Sequence, residues 1–172
     1  MVQMNIRVKE TLPIITEYYP FADSFKKNIL EECSNLSFTR DVAGTHVKAL
    51  QTIPFKSIEN FSSVKLIFEW ILQSIKIQAD SAHIGLKVDH FWISVYGKDD
   101  FTTSHEHYPA LWSFVYFIKC PKGSSPLVFT TSGKRVKAEE GKVVIFPGNM
   151  FHHVLKNKCD DRIVLAGNVF WY

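Results

Sequence analysis

Cysteine is scarce in this chain: 172 residues contain three, Cys33, Cys120 and Cys159. They are widely spaced, odd in number and in no Cys-x-x-Cys pair, which argues against a disulfide framework or a thiolate zinc site and for reduced structural thiols. Long apolar runs are also missing. Lys65, Glu69 and Lys76 interrupt the most hydrophobic stretch, Phe61 to Ile77, so nothing approaches the ~18 residues of a membrane span. The first ten residues, MVQMNIRVKE, carry no apolar core followed by a small-residue cleavage site, and a soluble, cytoplasmic protein is expected. Glycine and proline number only 8 and 7, too few for a collagenous or low-complexity chain. Charge of one sign is lacking as well. Lys and Arg total 20 against 17 Asp and Glu, a net +3 with the basic residues scattered, so nucleic-acid binding is not indicated.

What is present suits one packed domain over residues 1–172: 46% of residues are hydrophobic and 22% charged, with no internal repeat and no linker-like segment. The change along the chain is one of periodicity. Residues 1–82 read as mostly helical support. Phe21, Phe25, Ile29, Leu30 and Cys33 recur at three and four between Pro20 and about Leu36, the spacing of an amphipathic helix. A second helix runs from an N-cap at Asn60 or Ser62 to Ile77, with Val64, Ile67, Phe68, Ile71, Leu72 and Ile75 on one stripe. Residues 83–172 read as a β core, with strands at Leu86 to Tyr96, Leu111 to Lys119, Leu127 to Thr131, Lys142 to Phe146, Val154 with Leu155, and Ile163 to Tyr172. Turn-forming clusters such as 121–126, 147–149 and 157–161 separate them. Many short strands after sheet-covering helices predict a β-sandwich or open barrel with helical support.

Seven histidines are distributed unevenly, with two tight groups, His105 with His107 and His152 with His153. In an extended segment residues two apart project to one side, so His105 and His107 can converge while Glu106 points away. A third imidazole from another strand would complete a facial set and leave open positions for substrate and oxygen. His152 is the candidate: Gly141 opens a strand, four apolar residues form it, and Pro147-Gly148-Asn149 turns it to present His152. The competing reading is a set of surface histidines beside loops. His153 points to the opposite face, and His46, His83 and His90 read as solvent or core residues.

Arg162 follows the turn 157–161. If that turn closes a hairpin, Arg162 lies roughly 5 to 8 Å from His152 or His153. Alternation puts Arg162, Val164, Ala166 and Asn168 on one face of the last strand. A guanidinium among apolar neighbours needs an anion, and its planar fork suits a carboxylate. Either a carboxylate-bearing small molecule beside the metal or an ion pair with Asp160 or Asp161 would satisfy it.

These residues, in this order, resemble the iron(II)- and 2-oxoglutarate-dependent oxygenases, above all the small bacterial and phage-type, prolyl-hydroxylase-like members. The segments that carry the resemblance are His105-Glu106-His107-Tyr108-Pro109, the aromatic run Ser113 to Ile118, the block Gly141 to Pro147, then His152, and Arg162 to Asn168. They span about half the chain, Leu86 to Tyr172. The resemblance implies a mainly-β fold, a double-stranded β-helix (jelly-roll, cupin-like) core with N-terminal supporting α-helices. It implies Fe(II) held by His105, His107 and His152, with 2-oxoglutarate chelating the metal and its far carboxylate on Arg162. Tyr96, Tyr116 and Asn168 are the further cofactor-binding residues it suggests. The activity implied is an O2-dependent oxidative decarboxylation that hydroxylates a C–H bond of a small-molecule or peptidyl substrate, with peptidyl proline favoured. Two positions depart from the pattern: most of the superfamily has a carboxylate where His107 stands, and many members have a serine where Val164 stands.

Cupins share the topology, and their second motif is met in part at Gly141, Pro147 and His152. Their first motif calls for a glutamate a few residues beyond His-x-His, and 108–114 contain none. A cupin-type metal enzyme without oxoglutarate, and a non-enzymatic binding or structural module on an immunoglobulin-like β-sandwich, stand as the alternatives.

Overall fold

The structure, a computed structural model, describes residues 12–40, 42–78 and 85–172. The N-terminal decapeptide, His83 and the helix-to-strand boundary expected near Ala82 lie outside the described residues. The chain begins with strand β1 (Ile15–Tyr18) and helix α1 (Ala22–Ser34), followed by the two-residue strands β2 (Val47–Lys48) and β3 (Leu50–Gln51) and helix α2 (Ser62–Gln78). Then come β4 (Leu86–Tyr96), β5 (Phe101–His105), β6 (Trp112–Lys119), β7 (Leu127–Phe129), β8 (Arg135–Val136), β9 (Lys142–Pro147), β10 (His152–Val154) and β11 (Arg162–Trp171). All strand pairs are antiparallel, in a six-stranded sheet ordered β1-β9-β6-β11-β4-β3 and a five-stranded sheet ordered β2-β5-β10-β7-β8.

Period-two alternation sorts each long strand of the six-stranded sheet between two apolar layers. On β6, Phe114, Tyr116 and Ile118 join the layer under the helices, whereas Val115 and Phe117 face the other way. On β11, Leu165 and Val169 lie under the helices, and Val164 and Ala166 face the interior between the sheets. Helix α2 covers the outer face with Val64, Ile67, Phe68, Ile71 and Ile75, all buried and each contributing about 1.5–3 kcal/mol of transfer free energy. Its first turn is anchored from α1: Glu32 Oε1 accepts the Ser63 N–H at 2.8 Å and the Ser62 hydroxyl at 2.9 Å. Among the described residues no helix is long and apolar enough to cross a membrane.

Both predicted helices form within about two residues of the expected ends, and β4, β6, β9 and β11 appear where the apolar runs placed them. The segment Phe101–His105 is strand β5, because Thr102 and His105 pair with β10 and Phe101 and Thr102 with β2. One expectation needs correction. The turn 157–161 closes no hairpin. β10 pairs with β5 and β7 in the five-stranded sheet and β11 with β4 and β6 in the other, so 157–161 is a crossover between sheets. Asn157 fixes it, its side chain donating to Cys159 O at 2.7 Å and accepting the Ser125 N–H at 2.9 Å.

Candidate functional site

His105 and His152 are register partners on β5 and β10, and such opposed residues share a face of the sheet. His107 lies just beyond β5, where its N–H donates to Gly148 O at 2.7 Å while Gly148 N–H donates to Leu111 O at 3.0 Å. The 107–111 loop is thus fastened to the turn after β9. That approach requires glycine: a Cβ on Gly148 would stand 2.1 Å from Ala110 O. The result is a triad whose ligand atoms all lie within 4.8 Å of one another, with ring centroids 4.4 to 5.1 Å apart. Thr103 O lies 2.9 Å from His105 Nδ1 and Met150 O 2.9 Å from His152 Nδ1. Each carbonyl accepts the Nδ1 proton, leaving Nε2 as the free lone pair. Burial, then repulsion from His152 and His105, pushes His107 down to about 2. Burial and His105 push His152 to about 3, and burial also lowers His105. Three neutral imidazoles converging without a protein carboxylate form a donor set suited to a divalent transition metal.

Arg162, at the start of β11, is 1% exposed, and its Nε and Nη1 have no hydrogen-bond partner. Its guanidinium carbon sits 4.5 Å from the Tyr96 ring centroid and 5.4 Å from that of Phe117. Burial lowers its pKa, but arginine remains a cation throughout the accessible range. The ion-pair alternative is not realised. Asp161 pairs with Lys119 at 3.3 Å, and Asp160 accepts the Lys98 N–H at 2.9 Å. An internal cavity joins Arg162 to the three histidines, with Tyr96, Thr102 and Ser94 along its wall. A buried cation with two unpartnered nitrogens is a binding place for an anion.

Tyr96 therefore falls on the cavity, its hydroxyl 2.6 Å from Thr102 Oγ1. Tyr116 does not: it faces the helix layer, 6.4 Å from Tyr19, where burial and Tyr19 raise its pKa. The assignment of Tyr116 to the cofactor is corrected by its parity on β6. Asn168 shares a face with Arg162 but stands six residues along β11, roughly 20 Å at 3.3 Å per residue. It lines the mouth instead, a 240 Å³ opening shared with His46, His90, Trp92, Glu106 and the triad's outer edge. There Asn168 accepts from Ser113 at 2.8 Å and lies 2.8 Å from His90 Nε2. His46 and His90, read from sequence as incidental, both border the site. His46 stacks on His105 at 4.9 Å and 18°, brought there by the β2–β5 pairing. No sequence spacing signals that contact. His153 points away as expected, 2.9 Å from Thr130 Oγ1, and Glu106 accepts the Tyr108 N–H at 2.5 Å rather than joining the triad.

No protein-family model matches the chain, and no curated protein matches it in sequence. Solved structures do match in fold. A prolyl-4-hydroxylase from Pseudomonas putida aligns with a TM-score of 0.72 at 15% identity, covering 92% of this chain and 92% of its own. The viral collagen prolyl hydroxylase of Paramecium bursaria Chlorella virus-1, in complex with 2-oxoglutarate, gives 0.71 at 12% identity over 91% of this chain and 94% of its own. HygX from Streptomyces hygroscopicus, with nickel and 2-oxoglutarate bound, gives 0.62 at 11% identity over 92% and 83%. The chain thus has the jelly-roll fold found in 2-oxoglutarate–Fe(II) oxygenases, as the sequence resemblance implied.

Proposed function

We propose that the protein is an Fe(II)- and 2-oxoglutarate-dependent dioxygenase hydroxylating a C–H bond of a small-molecule or peptidyl substrate. The observation that carries this reading is Arg162, a buried guanidinium with two unpartnered nitrogens in the cavity that the three imidazoles share. Iron would be held by His105, His107 and His152, and when bound would activate O2 at the expense of 2-oxoglutarate, which leaves as succinate and CO2. The residues of the chain do the rest. Arg162 binds the far carboxylate bidentately through its planar fork. The Tyr96–Thr102 hydroxyl pair has two protons, one spent on their mutual hydrogen bond and the other free for the same carboxylate. Trp92, Phe146 and Val164 exclude water from the cavity, which strengthens these contacts. The imidazoles bring no negative charge, so the centre depends on a dianionic ligand for neutralisation.

Its fold likeness to prolyl hydroxylases supports a peptidyl substrate, proline included, entering through the 240 Å³ mouth. The cupin-type reading draws on one observation, the absence of a carboxylate from the triad, but it leaves Arg162 without an anion. Succinate formation distinguishes the two. The expected result is succinate that requires both Fe(II) and 2-oxoglutarate and is lost in His152→Ala; no succinate with either metal or cosubstrate in excess would refute the oxygenase.

A further inference from the structure

The oxoglutarate reading leaves one polar group in the cavity without a task. Ser94, on β4, is 1% exposed, its Oγ has no hydrogen-bond partner, and it lines the cavity that contains the unpartnered Nε and Nη1 of Arg162. A buried hydroxyl left unpaired is costly, so a wall of apolar residues is not a sufficient account of its presence. Its position narrows the partner. Tyr96, two residues along the same face of β4, is the register partner of Arg162, and Ser94 is the register partner of Val164. Ser94 thus sits diagonally across one strand pair from the guanidinium, within the roughly 7–8 Å that such neighbours span.

We infer that Ser94 is a cosubstrate-binding residue that donates its hydroxyl hydrogen to the carboxylate held by Arg162, alongside the Tyr96–Thr102 pair. The inference rests on the proposed function above, and it adds a residue that no motif in the sequence indicates. On the opposing strand the same cavity wall carries Val164, which has no donor. Moving the Ser94 hydroxyl one strand across to position 164 should therefore restore part of the contact.

The test is a calorimetric titration of 2-oxoglutarate into the Mn(II)-loaded protein under anaerobic conditions, for the parent, Ser94→Ala, Ser94→Ala with Val164→Ser, and Arg162→Ala. Losing a hydroxyl–carboxylate hydrogen bond should weaken binding about tenfold or more in Ser94→Ala, with partial recovery in the double variant. The metal-free melting temperature should stay level or rise in Ser94→Ala, because an unpartnered hydroxyl has been removed from the interior. That combination, weaker binding without weaker folding, is what a structural serine would not produce. If Arg162→Ala is impaired and Ser94→Ala binds like the parent, the Ser94 inference fails while the oxygenase reading stands. A Ser94→Ala loss that comes with a lower melting temperature and is not recovered by Val164→Ser overturns it as well. If Arg162→Ala also binds like the parent, the oxoglutarate reading itself fails.

Discussion

His105 and His152 face each other in register across the β5–β10 pair, with ring centroids 4.4 Å apart. Two imidazoles so close, His152 buried and His105 half-buried, are not both protonated, because two charged rings would repel; as neutral rings they can share a cation. Their Nδ1 atoms are both committed to backbone carbonyls, which orients the remaining nitrogens without any side-chain partner. Losing an outer hydrogen-bond partner of a metal ligand commonly costs about 10–100-fold in affinity. His152→Ala should exceed that, as measured by competition with a chelator, with oxoglutarate affinity reduced only as a consequence.

Gly148 allows a prediction that touches no ligand. Alanine there would drive a Cβ into Ala110 O, and the loop 107–111 would have to move. His107 is fastened to the same residue by its N–H. Gly148→Ala should therefore lower metal affinity and also cost about 1–3 kcal/mol of stability through local overpacking. Chelator competition and denaturant melts on the same samples would read both.

The start of α2 depends on a side chain from α1. Removing the Glu32 carboxylate takes away the acceptor of the Ser63 N–H and of the Ser62 hydroxyl. Glu32→Ala should destabilise the fold by about 1 kcal/mol, the usual value of a helix N-terminal cap, whereas Glu32→Gln keeps an acceptor and should cost less. Urea denaturation of the two variants resolves the difference.

Acid sensitivity should involve Glu139. Lys137, Lys142 and Tyr18 all donate to its carboxylate and hold it down to about 2 from its ordinary 4.5. A carboxylate with a lower pKa in the folded state contributes stability that is complete above its unfolded value and is lost as pH falls through the folded one. Glu139→Gln should accordingly be less stable than the parent at neutral pH, and the gap should close between about pH 4.5 and 2. Melting temperatures across that range provide the check.

The two amphipathic helices and the four longest strands were legible because their apolar periodicity runs over many residues. His105, His107, His152 and Arg162 were drawn together by the His-x-His spacing, the turn before His152 and the strand parity of Arg162, with the family resemblance. What escaped the sequence depended on partners distant along the chain. Thr102, Thr103 and Ser104 have turn chemistry, yet pairing with β2 and β10 makes them a strand. His46 reaches His105 only through that pairing. Tyr116 was suggested by the resemblance as a hydroxyl for the oxoglutarate carboxylate, although the parity of β6 turns it under the helices. Asn168 has the correct parity but lies too far along β11 to share a ligand with Arg162. Arg162 was expected to reach the histidines by a hairpin. It does so from the opposite sheet, and for that reason its guanidinium lies in the interior between them.

Arg162 should anchor a carboxylate deep in the cavity that the three histidines border, and a titration of 2-oxoglutarate into the metal-loaded parent and Arg162→Ala proteins measures that contact. Removing a charge-assisted bidentate contact from a low-dielectric site costs on the order of 2 to 5 kcal/mol. The affinity of Arg162→Ala should be lower by a factor of about 30 or more, since 1.4 kcal/mol is tenfold, with metal affinity unchanged. Equal oxoglutarate affinity in the two proteins, with the variant merely less stable, would contradict it.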